Sequence, residues 1–473
     1  MIKTHYKNIF LMLTLNFLFM IIIFSMLSST DLKNTSLLAL IGILQYIWMF
    51  FSWYSLTKNL MNIYLFFITL CFFFYSGQPL LVLLNIDLPI MSLQSSPFSI
   101  SEINKTFIFL LEAMLLFHTG ALLSVKNYRV KYYPVNMKIV ASVGMFFFAI
   151  SFIPQIVSTI DALKTSLTIG YSNIYQSDFA MGAGIAGGIP RFLAGFFKAS
   201  LLLLILGNKN NPRRLKFWVL FSLSLTTVSI LAGQRGTNSL FILGIIMLYH
   251  YAIKPFTKKQ AYGFIVLIPL GGYILSSISV LRNVGVAGYG ISDIAEMVAK
   301  GNPLLNIIGE MGFTLITCTT VAVFSPSLVP FNGGESYFNN LFSLIPNLFW
   351  TVNPSAVGSV DQVFGHFLNA NSGMGSSFIA EAYYNFGMYG LLIMPLFGYL
   401  VGKLYFETLA ASKNKNYLKL YACIYMSFVI LWYVRSDTTG FWRNLAYYSI
   451  LPIIIVKSLS SISKKLQRKR VRY

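Results

Sequence analysis

The chain has 473 residues, 56% of them hydrophobic and only 10% charged. Soluble domains carry about 25% charged residues, so a soluble globular enzyme is excluded. Lys and Arg number 35 against 14 Asp and Glu, for a net charge of +21. The positive residues fall in short clusters between apolar runs, which is the pattern of a membrane protein and not of a nucleic-acid binder.

Lys3 and Lys7 precede an apolar run from Ile9 to Leu27. That run is too long for a signal-peptide core and lacks an A-x-A site, so it reads as an uncleaved first span. Continuous apolar runs read as helices and not as alternating barrel strands. A span needs about 20 apolar residues. The expected spans are 9–28, 37–57, 61–84, 106–125, 138–160, 191–207, 215–232, 237–253, 262–281, 387–409, 417–434 and 441–458. The expected fold is therefore an all-α polytopic membrane protein with about 12 transmembrane helices, 14 if two more segments cross. Its organisation is 1–281 (about nine helices), 282–386 (a large extracytoplasmic region) and 387–473 (three helices and a basic tail).

Basic clusters recur at every second boundary: Lys58, Lys126/Arg129/Lys131, Lys209/Arg213/Arg214/Lys216, Lys254/Lys258/Lys259, Lys413/Lys415/Lys419 and 464–472. The positive-inside rule then places both termini in the cytoplasm. Residues 282–386 contain only Arg282 and Lys300 as basic residues. Within them Pro303–Phe324 is apolar enough to enter the membrane. A re-entrant hairpin is expected there, with two extra spans returning through Tyr337–Trp350 as the alternative.

Several chemistries are missing. There is no P-loop, H-E-x-x-H, C-x-x-C or G-x-S-x-G, and no D-x-D pair for a nucleotide-sugar diphosphate. Cys71, Cys318 and Cys423 lie far apart, and His5, His118, His250 and His366 are isolated. No metal or cofactor is expected. A reaction on the outer side would need a substrate already activated, delivered by lipid.

Two signals remain. The first is arginine at the outer membrane edge: Arg235 in the turn Gly233-Gln234-Arg235-Gly236, Arg282, and Arg435 and Arg443 around the last outer turn. A guanidinium fork matches phosphate oxygens and stays charged at low dielectric. The competing reading is snorkelling to lipid phosphate. The second is the run 373–387, where Ser376 or Ser377 caps a helix and Glu381, Tyr384 and Asn385 share one face. Glu381 reads equally as a general base or acid and as a structural partner of an arginine. Softer candidates are Asp361, Asp437 and His366, the last being the alternative base. Glu112, His118, Lys198 and Glu310 lie in or beside spans as candidates for a proton path or for interhelical pairing.

The run Gly375-Ser376-Ser377-Phe378-Ile379-Ala380-Glu381-Ala382-Tyr383-Tyr384-Asn385-Phe386-Gly387, with Gly390 and Gly398, resembles the C-terminal signature of bacterial Wzy-type O-antigen and capsule repeat-unit polymerases. The Gly233–Gly236 turn and Arg435…Arg443 are similar to elements of the same family. A pair of R-x10-G loops and the ligases' His-Ser/Thr element are not found. The resemblance implies a GT-C-like membrane glycosyltransferase acting on undecaprenyl-pyrophosphate-linked oligosaccharide in the bacterial cytoplasmic membrane, extending capsule or lipopolysaccharide glycans outside the cytoplasm. A flippase and a chain-length regulator are the partners it implies beyond membrane lipids. Within that reading Glu381, His366 and Asp437 are the candidate catalytic residues. Arg235, Arg282, Arg435, Arg443, Tyr384 and Asn385 are the candidate substrate-binding residues. A flippase for the same lipid, or an O-antigen ligase, is the rival reading.

Overall fold

The computed structural model describes residues 2–27, 34–86, 93, 95–126, 128–168, 184–257, 259–260, 263, 302–346, 350, 353–368 and 374–470. It is 81% helical without a strand among them. The helices are α1 (Ile2–Leu27), α2 (Thr35–Thr57), α3 (Ile63–Leu83), α4 (Ile100–Leu123), α5 (Met137–Thr168), α6 (Gly184–Ala194), α7 (Phe196–Gly207), α8 (Pro212–Leu231) and α9 (Arg235–Ala252). They continue with α10 (Pro303–Gly312), α11 (Thr314–Phe324), α12 (Phe378–Phe386), α13 (Met394–Lys413), α14 (Tyr417–Trp432) and α15 (Leu451–Arg470). Among the described residues, 11 helical stretches are long and apolar enough to cross a membrane.

Helix starts follow local chemistry. Asn34 caps α2, Asn62 caps α3 and Asn211 caps α8 ahead of Pro212. Ser99 and Glu102 form a reciprocal capping box, which starts α4 at Ile100, six residues before the span expected from apolarity alone. The expected span 191–207 is two helices meeting at Gly195, where Tyr448 packs in the place a side chain would take. α9 forms as expected, but Arg235, Asn238 and His250 leave it less apolar than those 11 stretches. The expected span 262–281 and Arg282 lie outside the described residues, save position 263.

The apolar segment 303–324 consists of α10 and α11 abutting at Phe313, and Leu305–Phe324 joins the stretches able to cross. Tyr337–Trp350, the alternative return, holds a helix Glu335–Asn339 and a 3₁₀ turn Asn340–Leu344 of five residues each, too short to span. The expected span 387–409 likewise changes. Gly387, at φ +57°, breaks the chain between α12 and a 3₁₀ turn leading into α13, and the whole stretch Phe378–Lys413 is the crossing candidate.

Two ends of the bundle are defined by contacts. At one, Tyr251 donates to the Met61 carbonyl, Ser412 to the Tyr251 carbonyl, Asn416 to the Lys131 carbonyl, and Lys209 lies over Tyr417. This end gathers the basic clusters. At the other end Tyr75 donates to the Val434 carbonyl and Gln78 to that of Gly309. His118, one of the proton-path candidates, is instead clamped between Ser52 at 2.9 Å and Tyr64 at 2.5 Å in the core.

Small residues let the backbones touch, since lipid supplies no hydrophobic drive between helices. A methyl on Gly120 would overlap the Pro395 carbonyl and one on Gly398 the Phe117 carbonyl, so α4 and α13 meet backbone to backbone. Gly365, with nothing within 4 Å of that position, is a matched control. Gly398→Ala is expected to destabilise the protein by about 2 kcal/mol or more, within the range for overpacking. Gly365→Ala is expected to be near neutral. Melting of the detergent-solubilised variants checks both.

Candidate functional site

The site is built at the end of the bundle away from the basic clusters. Gly375 takes φ +75°, and a side chain there would lie 2.9 Å from Nε of Arg435, so glycine is required twice over. Ser377 then accepts the Ala380 N–H at 3.0 Å and starts α12. One turn later Glu381 is buried, with 1% of its surface exposed.

A buried carboxylate needs hydrogen-bond donors. Glu381 Oε1 accepts the Ser336 hydroxyl at 2.9 Å, and Oε2 accepts the Thr438 N–H at 2.7 Å. Asn385 donates to Ser336 Oγ at 2.7 Å and to the Glu381 carbonyl at 2.8 Å, while its own oxygen accepts the Gly334 N–H. Asn340 donates to the Thr438 hydroxyl at 2.8 Å. The strands of this network come from three distant parts of the chain.

Two further carboxylates adjoin it. Asp437 accepts the Val360 N–H at 2.9 Å and the Thr439 N–H at 3.2 Å, and its charge acts on Glu381. Burial pushes the Asp437 carboxyl above its ordinary range, against those hydrogen bonds. Asp361 accepts the Ser376 N–H at 3.2 Å. Burial raises it to about 6, Asp437 adds to the rise, and the Ser376 N–H and Arg435 oppose it. Clustered carboxyls displaced toward neutral pH are what proton transfer calls for. Among the described residues, no group of three His, Cys, Asp or Glu side chains is arranged to hold a metal ion.

The expected arginines each engage a different partner. Arg235 forms an ion pair with Glu310 at 2.5 Å, so Glu310 is a pairing residue and not an isolated acid. Arg435 packs on Gly375, lies 5.9 Å above the Phe74 ring and is felt by Asp361. Arg443 donates from Nε to the Ser343 carbonyl at 2.9 Å. It also stands close enough to Arg191, which no local sequence signal marks, for the two charges to repel.

Two expected residues go elsewhere. Tyr384 shares the helix with Glu381 but packs edge-on against Phe364 at 5.1 Å, and its carbonyl accepts the Asn332 N–H of the 332–334 loop. His366 is exposed, with its ring against Phe367 at 3.9 Å, and it takes no part in the hydrogen bonds described above. Asp361 is the acid from that loop which the fold brings to the carboxylates. Ser336 and Thr438 carried no local signal, being 45 and 57 residues from Glu381. Lys198 lies 5.8 Å over the Phe241 ring, and Glu112 is buried in α4.

These features define a polytopic membrane protein with a buried acidic site at one end of its helices, flanked by arginines. The chain matches the family model described as O-antigen polysaccharide polymerase Wzy over residues 6–466, nearly its whole length. It belongs to that family. Comparisons with curated proteins and with solved structures return no match.

Because Asp361 binds its proton more tightly in the fold than its ordinary value of 3.8, its ionisation works against the folded state. That contribution grows as pH rises from about 4 to about 6 and is flat above. Asp361→Asn is therefore expected to melt higher than the unsubstituted protein at pH 7.5, with the difference closing toward pH 4. Melting curves across that range check it.

Proposed function

We propose that this protein is a membrane polysaccharide polymerase. In this reading it transfers a growing glycan from undecaprenyl pyrophosphate to the non-reducing end of a lipid-linked repeat unit. Membership of the O-antigen polymerase family supports polymerisation. The positive-inside rule supports a basic, cytoplasmic end carrying both termini, with the Glu381 end outward from the cytoplasmic membrane.

The observation that carries the chemistry is Glu381 itself, a fully buried carboxylate beside Asp437 at the arginine-bearing end. The acceptor hydroxyl oxygen attacks the anomeric carbon of the donor glycan and forms the new glycosidic bond. The bond from that carbon to the pyrophosphate oxygen breaks, and the diphosphate departs with the electron pair. The acceptor proton passes to the Glu381 carboxylate. Ser336 and the Thr438 N–H hold the carboxylate in place, and Asn385 holds Ser336. Arg235, Arg282, Arg435 and Arg443 are the groups that would steady the leaving diphosphate. Arg235 would have to exchange Glu310 for phosphate.

Removing a general base costs about 10²–10⁴ in rate. Glu381→Gln is expected to abolish long polymer while single repeat units still reach the surface and protein abundance stays normal. Full-length polymer from that variant would remove Glu381 from the mechanism. Deletion of the whole chain separates the rival: a polymerase leaves one surface unit, a flippase none.

A further inference from the structure

Among the described residues several buried polar atoms have no hydrogen-bond partner, and five of them belong to residues that adjoin the site: the hydroxyls of Tyr337, Tyr433, Ser343 and Ser376 and Oδ1 of Asn340. Tyr433 is 6% exposed, Asn340 3%, Ser343 1% and Ser376 0%. Their placement is tied to the site on every side. Both phenols lie within reach of the charges of Glu381 and Asp437. Asn340 holds Thr438 through its amide nitrogen, the Ser343 carbonyl receives Arg443, and the Ser376 N–H is donated to Asp361. Buried polar groups are nearly always satisfied, and leaving one unsatisfied costs about 1–3 kcal/mol. Five such atoms in residues tied to one site suit it to a polar ligand.

The donor and acceptor types narrow the ligand. Phenols and serine hydroxyls both donate and accept, and the asparagine oxygen accepts only. A group of hydroxyls, each donating and accepting, matches that mixture. Three carboxylates close by oppose a negatively charged ring once Arg435 and Arg443 are engaged by the diphosphate, as the polymerase reading has them. We infer that Tyr337, Asn340, Ser343, Ser376 and Tyr433 form the subsite that reads the hydroxyls of an uncharged sugar, holding the acceptor against Glu381. This rests on the polymerase reading and extends it to recognition of the acceptor.

An orphaned hydroxyl gives a distinctive signature on removal: the empty protein keeps or gains stability while substrate recognition weakens. The test uses full-length Tyr433→Phe, Tyr337→Phe and Ser376→Ala in detergent, with lipid-linked repeat units extracted from cells lacking this chain as the probe. Each variant is expected to melt at or above the temperature of the unsubstituted protein. Each is expected to raise the KM for the repeat unit about five- to tenfold, the worth of one neutral hydrogen bond, with kcat changed less. Unaltered KM values, or melting temperatures that fall, would overturn the subsite by showing that the hydroxyls are satisfied within the protein or by water. So would a uronic acid at the acceptor end of the extracted unit. If the unsubstituted protein extends nothing, the polymerase reading fails and the subsite with it. If it extends normally and the variants match it, the subsite alone fails.

Discussion

The site depends on keeping one carboxylate, Glu381, out of water. An ionised carboxylate moved into a protein interior is costly unless donors surround it. Here the donors are a serine hydroxyl from the helix Glu335–Asn339 and a backbone N–H from the turn between α14 and the last helix. Asn385 ties the first of these back to α12. The demand of this buried carboxyl for partners therefore ties the 333–344 segment, α12 and the final turn to one another. The remaining side chains of the site inherit their positions from that arrangement.

The helices that carry it meet at close range. α4 and α13 approach through glycines, with Gly120 and Gly398 each facing the other helix's backbone, and Gly402 faces Ser124. α3 and α10 do the same through Gly77 and Gly312. Contacts of this kind leave little room for sliding, because the facing atoms are carbonyls and Cα atoms and not long side chains. α12, linked to α13 through the turn at Gly387, and α10, which carries Glu310 toward Arg235, are thus held against backbone surfaces.

Much of the membrane architecture was legible in the chain because apolarity over about 20 residues is a strong local signal. The family signature was legible too: Gly375, Ser377 and Gly387 act through their own backbone angles or caps, which depend on neighbours in sequence. Periodicity correctly put Glu381 and Asn385 on one face, but it could not separate them from Tyr384, whose ring is claimed by Phe364. What local reading could not supply was pairing at a distance. Glu310 with Arg235, Ser336 and Thr438 with Glu381, and Asp361 in preference to His366 all follow from how remote segments fold together. Nothing in the spacing of these residues encodes those meetings.

The turn 436–440 contributes Asp437 and Thr438, and it lies between the last two long helices of the described chain. Translation proceeds from the N-terminus, and segments enter the bilayer in that order. Every preceding helix can be in place while Glu381 still lacks the Thr438 N–H and its acidic neighbour. The hydrogen bonds of the site therefore close only when the hairpin of α14 and the last helix forms, after the segments bearing Ser336, Asp361 and Glu381 have been made.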